Sequence, residues 1–209
     1  ACFKSSSHAV NLAREYNTRL HLLHLSTADE MKLLSSDRPP EQKRITSEAC
    51  VHHLWFDDSH YDDLGSKIKW NPAIKTKFDR ESLINGVNND LIDVIATDHA
   101  PHTSEEKSES YFKAPSGAPM VQHSLAVMLE MWHRKIFNLE KIVEKMCHNP
   151  AILFSIGKRG FIREGYKADL VLIDPDHPWA VTKKNIFSKC GWSPLEGVSF
   201  RSKVVKTFV

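Results

Sequence analysis

The residues best suited to chemistry in this chain stand in one short run, Thr97-Asp98-His99-Ala100-Pro101-His102. A carboxylate and two imidazoles so close together suit metal ligation, proton transfer, or both. The run is preceded by Leu91–Thr97, a short apolar segment with β-branched Ile92, Val94, Ile95 and Thr97. That length and composition predict a buried strand, and Pro101 prevents it from continuing. Two other candidate strands end in similar groups: Leu20–Leu25 finishes around His24, and Arg44–Val51 runs into His52-His53. On a parallel α/β scaffold all three ends emerge on the C-terminal face, where such folds carry their catalytic groups. A lone Asp-His pair would read as a capped polar turn. Three strand ends in register, offering nitrogen and oxygen donors, point to a metal such as zinc.

The elements that must position these residues alternate along the chain. Ala9, Val10, Leu12 and Ala13 recur at helical spacing within Lys4–Tyr16. Ser26 or Thr27 can cap a helix over Ala28–Leu34, with Asp29 and Glu30 in its first turn, and Asp79 opens another to about Val87. Strands and helices in that alternation predict parallel βα units. Asp57–Ser66 is acidic and reads as a surface excursion. Thr103–Ser110 and Lys113–Pro119 are too charged, or too rich in Pro and Gly, for core, and read as a mobile loop able to fold over a pocket. Val121–Arg134 is amphipathic, with Leu125, Met128, Leu129 and Trp132 for packing; Leu139–Met146 forms a second helix and Asn149-Pro150 starts a further turn. From Gly157 the character changes to a turn, a strand over Ala168–Asp174, and extended chain broken by Pro178 and Pro194. This reads as a small β unit beside the α/β part.

Composition narrows the setting. With 209 residues, 41% hydrophobic and 26% charged, the chain has room for one or two ordinary soluble domains. A net charge of +2 gives no reason to expect nucleic acid or an anionic membrane as partner. No apolar run approaches a membrane span, and no signal peptide precedes the first helix. Cys2, Cys50, Cys147 and Cys190 form no CxxC pair, which fits a reducing cytoplasm.

Thr97-Asp-His-Ala-Pro-His102 resembles the signature of dihydroorotases, zinc amidohydrolases of pyrimidine biosynthesis. Leu23-His-Leu-Ser-Thr27 is similar to their His-Val-Ser-Thr segment at the sixth barrel strand, and Glu48-Ala-Cys-Val-His-His-Leu54 to their seventh-strand Glu-Val-Thr-Pro-His-His-Leu. Asn71-Pro72 matches the Asn-Pro that follows, and Gly160–Asp174 matches the closing Gly-x-Ile-x-x-Gly-x-x-Ala-Asp-Leu pattern of amidohydrolases. The resemblance covers nearly the whole chain in the same order.

The resemblance implies an α/β fold: the C-terminal part of a (β/α)8 TIM-type metal-dependent hydrolase barrel plus part of a small β-sandwich domain. Residues 1–156 would hold about strands 6 to 8 with their helices, and 157–209 the small β domain. The implied activity is reversible hydrolysis of the cyclic amide of dihydroorotate to N-carbamoyl-L-aspartate, with two zinc ions per complete active site. His24 would ligate one metal, and Asp98 would ligate the other and shuttle the proton. Asn71, His102, Ser116 and Gly117 would hold the substrate, His102 on its carboxylate, while His52, His53 and His99 would not be ligands. The alternatives are another cyclic amidase (dihydropyrimidinase, hydantoinase or allantoinase type) and an inactive dihydroorotase-like subunit. A homo-oligomer or an aspartate carbamoyltransferase partner is expected on the same ground.

The chain departs from the pattern in several places. The family's opening His-x-His strand, bridging carboxylate and fifth-strand His do not occur before Ala1, so the sequence reads as a C-terminal half that ends where a last β hairpin would continue. Open inner barrel faces would then expose apolar surface. Val51 replaces the usual Pro, Ala73-Ile-Lys75 replaces Pro-Leu-Arg, and Gln122-His123 stand where many members carry Glu-Thr.

Overall fold

A computed structural model describes residues 1–209. In chain order the elements are α1 (Cys2–Glu15), β1 (Leu20–Leu22), β2 (Ile45–Cys50), α2 (Val51–Trp55), α3 (Tyr61–Leu64), α4 (Lys77–Asn88) and β3 (Val94–Ala96). There follow α5 (Ser104–Lys107), α6 (Ser124–His133), α7 (Leu139–Val143), α8 (Asn149–Leu153), β4 (Leu170–Asp174), β5 (Trp179–Ala180), β6 (Ser199–Phe200) and β7 (Lys203–Phe208).

The three predicted strands form one parallel sheet in the order β1-β2-β3. Leu20 pairs with Ile45 and Leu22 with Ser47, while Glu48 pairs with Val94 and Cys50 with Ala96. Side chains alternate across the pleat. Leu22, Ala49 and Ile95 face one way and join a core with Val10 of α1, Leu83 and Val87 of α4, and Val127 and Met128 of α6. His21, Thr46 and Glu48 face the other way. There His21 Nδ1 lies 2.8 Å from Thr46 Oγ1, and its Nε2 lies 3.3 Å from Glu48 Oε2. The face expected to be apolar and open is therefore lined by a polar layer.

Strand ends are fixed by buried polar groups. Glu30, almost fully buried, accepts from Ser26 N at 3.1 Å, Thr27 N at 3.0 Å and Ser6 Oγ at 2.6 Å, binding the turn after β1 to α1. Asp93, at the foot of β3, accepts from Lys43 Nζ at 2.7 Å and from Ser47 N at 3.0 Å. Its backbone carbonyl accepts from Asn149 Nδ2 at 2.7 Å, so β2, β3 and α8 meet on one residue. Burial pushes the Asp93 carboxyl up, against the pull of Lys43. Lys145, buried alongside, reaches Asp90 at 2.7 Å.

Several elements differ from expectation. β1 stops at Leu22 because His24 turns into the left-handed region, φ 40°. Ala28–Leu33 is a 3-10 helix, with the Glu30 carboxylate reaching back to the Ser26 and Thr27 amides that precede it. The acidic 57–66 stretch is not a free excursion: it folds into short helical turns, with Asp57 buried against Arg80 Nη1 at 2.9 Å. The helix from Leu139 widens into a π turn at Glu144–His148 before α8. Beyond it Gly160 (φ 78°) passes so close to α8 that a Cβ would sit 2.5 Å from the Ala151 methyl, so only glycine fits. The antiparallel β4–β7 ribbon is largely exposed, whereas Val181, Trp192, Leu195 and Phe200 pack into the same core as the parallel sheet.

Lys43 and Asp93 are both nearly inaccessible. Lys43→Met strands a buried carboxylate and should lower unfolding free energy by about 3–5 kcal/mol in urea denaturation; a loss no larger than that of an exposed pair contradicts this role for the clamp.

Candidate functional site

The sheet delivers its C-terminal ends to one region. Leu25 N donates to Glu48 O at 2.9 Å, holding the turn after β1 against β2, and His24 N lies 3.4 Å from Glu48 Oε1. His24 and Asp98, at the ends of β1 and β3, both have left-handed backbones, φ 40° and 43°. Each costs about 1–3 kcal/mol for a residue other than glycine, a strain that concentrates at functional sites. Both side chains are half-buried. Between them lies the end of β2, where Cys50, His52 and His53 are buried and offer ligand atoms within 4.8 Å of one another.

The electrostatics tie these groups together. Burial pushes the Cys50 thiol well up, and the carboxylates of Glu48 and Asp98 add to it. Burial holds the His52 imidazole well below its ordinary range, with His53 and His24 contributing. The His53 imidazole is lowered to about 4, chiefly by burial, although its Nε2 donates to Pro72 O at 3.0 Å. Both imidazoles are therefore neutral around pH 7. His52 stacks on Trp70 with ring centroids 4.1 Å apart, and neither of its nitrogens has a hydrogen-bond partner.

The residues expected to hold substrate form a second group. His102 Nε2 donates to Ser116 O at 3.0 Å, and its Nδ1 lies 3.6 Å from Glu106. Gly117 N donates to Lys69 O at 2.8 Å, stitching this loop to the segment that leads into Asn71. Gly117 has φ 122°, and a Cβ there would meet Ala100 O at 2.5 Å. Asn71 is exposed, and its peptide bond to Pro72 is cis. His99 Nδ1 accepts from Met120 N at 3.1 Å and Val121 N at 3.2 Å, so it anchors the loop.

The 103–119 stretch is not the loose surface loop its composition suggests. Lys107 is buried; its Nζ donates to Pro115 O and Gly117 O, both at 2.9 Å. Lys69 Nζ donates to Tyr111 O at 2.7 Å and Ala114 O at 2.6 Å. Two ammonium groups thus gather the loop's carbonyls, and Gly117, Ala118 and Met120 are buried as a result. Sequence reasoning missed both lysines, because their partners are backbone carbonyls that carry no residue signature. Trp192 closes the group, its Nε1 donating to His102 O at 2.8 Å.

The donor set fits a metal in kind. An imidazole and a carboxylate at the ends of β1 and β3, on either side of β2, are borderline ligands suited to zinc, and two of them leave coordination positions for other groups.

Comparison with known proteins gives a consistent outcome. The model described as "Amidohydrolase family" matches residues 7–209. The dihydroorotase of Halobacterium salinarum is 35% identical over 189 residues, covering 90% of this chain and 43% of that protein. The dihydroorotase of Clostridioides difficile is 38% identical over 161 residues, covering 77% of this chain and 38% of that protein. An L-hydantoinase (dihydropyrimidinase) from Arthrobacter aurescens superposes with a TM-score of 0.90 at 28% identity, over 99% of this chain and 47% of that one. The chain therefore spans less than half the length of these relatives.

Lys107 supplies a pH test. Its ammonium is lowered to about 8 by burial, with the Lys69 charge adding. An unfolded chain holds that proton up to about pH 10.4, so between about 8 and 10.4 the unfolded state binds more protons and stability at this residue rises with pH. Comparing denaturation at pH 7.5 and 9.5, Lys107→Met should lose that increment relative to wild type; identical pH dependence in both proteins contradicts it.

Proposed function

Because the chain belongs to the amidohydrolase family, we propose that it is the C-terminal part of a dihydroorotase, interconverting dihydroorotate and N-carbamoyl-L-aspartate in pyrimidine biosynthesis. The observation that carries this reading is the run Thr97–His102. It follows the last strand of a parallel sheet whose other ends bring His24 and the Cys50–His53 cluster alongside. Identity to dihydroorotases at 35% and 38% supports the substrate assignment.

In this reading residues 1–156 belong to the (β/α)8 barrel, about its sixth to eighth strands. Residues 157–209 belong to a small β-sandwich domain, of which the exposed β4–β7 ribbon is one piece. His24 and Asp98 would hold zinc, two ions per complete site, with the remaining ligands from residues outside this sequence. Bound there, the metal supplies Lewis-acid polarisation of the amide carbonyl and acidification of a water at neutral pH.

The chain's own residues do the rest. Asp98 takes a proton from the attacking water and returns it to the departing ring nitrogen, a transfer worth on the order of 10²–10⁴-fold. In the reverse direction the same carboxylate removes the proton from the closing nitrogen. As an imidazolium, with Nε2–H held by Ser116 O, His102 would donate Nδ1–H to the substrate carboxylate; that atom lies 3.6 Å from the Glu106 carboxylate, the anion a substrate would displace. Ser116 and Gly117 would meet the substrate through the backbone groups that their bonds to His102, Lys69 and Lys107 leave free, and Asn71 would hold its ring from the facing loop.

A cytoplasmic enzyme fits this role, and no helix is long and apolar enough to cross a membrane. A homo-oligomer or a complex with aspartate carbamoyltransferase would suit a pyrimidine enzyme. A second reading, a hydantoinase-type cyclic amidase, has the L-hydantoinase likeness in its favour. The carboxylate-binding role of His102 separates the two.

With the full protein, Asp98→Asn should lower dihydroorotate turnover by at least about 10²–10⁴-fold while the melting transition stays in place; near-wild-type turnover contradicts the assignment. His102→Asn should raise KM for dihydroorotate more than it lowers kcat. Hydantoin or dihydrouracil turned over faster than dihydroorotate by the wild type would favour the second reading.

A further inference from the structure

The Cys50–His52–His53 cluster has no part in the function proposed above, yet it is built as ligand sites are. All three side chains are buried, and their ligand atoms lie within 4.8 Å of one another. His53 donates Nε2–H to Pro72 O at 3.0 Å, which fixes the tautomer with an acceptor lone pair on Nδ1, and that Nδ1 has no partner. An imidazole pinned through one nitrogen to a backbone carbonyl, with the other free, is how ligating histidines are oriented. Neither nitrogen of His52 makes a well-formed hydrogen bond, the Thr97 backbone being the polar group that approaches the ring, which is stacked on Trp70. A buried polar atom left unpaired costs about 1–3 kcal/mol, and three occur here side by side.

The third group extends the donor set. Where the related seventh-strand segment carries Thr, this sequence carries Cys50, which adds a soft sulfur donor to two imidazoles. The nearby carboxylates of Glu48 and Asp98 act on Cys50 and favour a cation over an anion in this position.

We propose that Cys50, His52 and His53 form a metal site of their own, taking a thiophilic cation of the zinc type through one sulfur and two nitrogens. Binding breaks the Cys50 S–H bond and releases its proton to solvent, while the sulfur electron pair and the two ring lone pairs go to the metal. This proposal does not depend on the dihydroorotase reading, since the His24–Asp98 pair contains no sulfur.

The test uses cobalt(II) as the probe metal, added to the full protein after stripping with a chelator. A thiolate-to-cobalt charge-transfer band in the near ultraviolet reports a sulfur ligand directly. Wild type should develop the band. Cys50→Thr, which restores the residue of the related segment, should lose it, and Cys50→Ser serves as a second variant if the first is unstable. The double variant His24→Ala/Asp98→Asn should keep the band, whatever its activity. No band in wild type overturns the site. So does a band of undiminished intensity in folded Cys50→Thr or Cys50→Ser, which would trace the sulfur to another cysteine.

Discussion

The site depends on the ionic clamp at Asp93. Its carboxylate holds Lys43 and the Ser47 amide, and its backbone carbonyl holds Asn149, so the start of β3 is locked to β2 and to the last helix of the α/β part. Parallel strands have no hairpin to set their register, and a slip of one residue moves every side chain to the opposite face. With Glu48 set against Val94 and Cys50 against Ala96, the chain reaches Asp98 just past the end of β3, beside Cys50. A charged pair this deeply buried is a poor source of stability compared with apolar packing. Here it does something packing does less well: it specifies one register.

From that register the rest follows by backbone geometry and charge. Left-handed turns at His24 and Asp98 end two strands abruptly at the same edge of the sheet. The 103–119 loop is then shaped by Lys69 and Lys107 drawing carbonyl oxygens together, with Trp192 from the C-terminal segment closing over the His102 carbonyl. The C-terminal residues thus serve the site directly.

Much of this was legible in the sequence, for identifiable reasons. The three strands announced themselves as β-branched or apolar runs ending in polar residues, and the helices Cys2–Glu15 and Lys77–Asn88 lie close to the spans their periodicity predicts. The motif Thr97–His102 was specific enough to indicate a family. What escaped was whatever depends on partners distant in the chain. Glu30 and Asp57 look like surface acids until Ser6 and Arg80 are brought to them. Lys107 sits in a charged stretch that reads as solvated, and only the folded loop supplies its carbonyl partners. The polar layer of His21, Thr46 and Glu48 was hidden because a short strand does not reveal which of its faces meets the helices.

The central claim is that β1 and β3 each deliver a ligand to one metal centre, and metal content measures it most directly. Elemental analysis of the full protein, purified without added metal, should be compared for wild type, His24→Ala and Asp98→Asn, each checked for a native melting transition. The account predicts bound zinc in the wild type and a lower zinc-to-protein ratio in each variant. An unchanged ratio in both folded variants would contradict it, because neither residue would then be holding a metal.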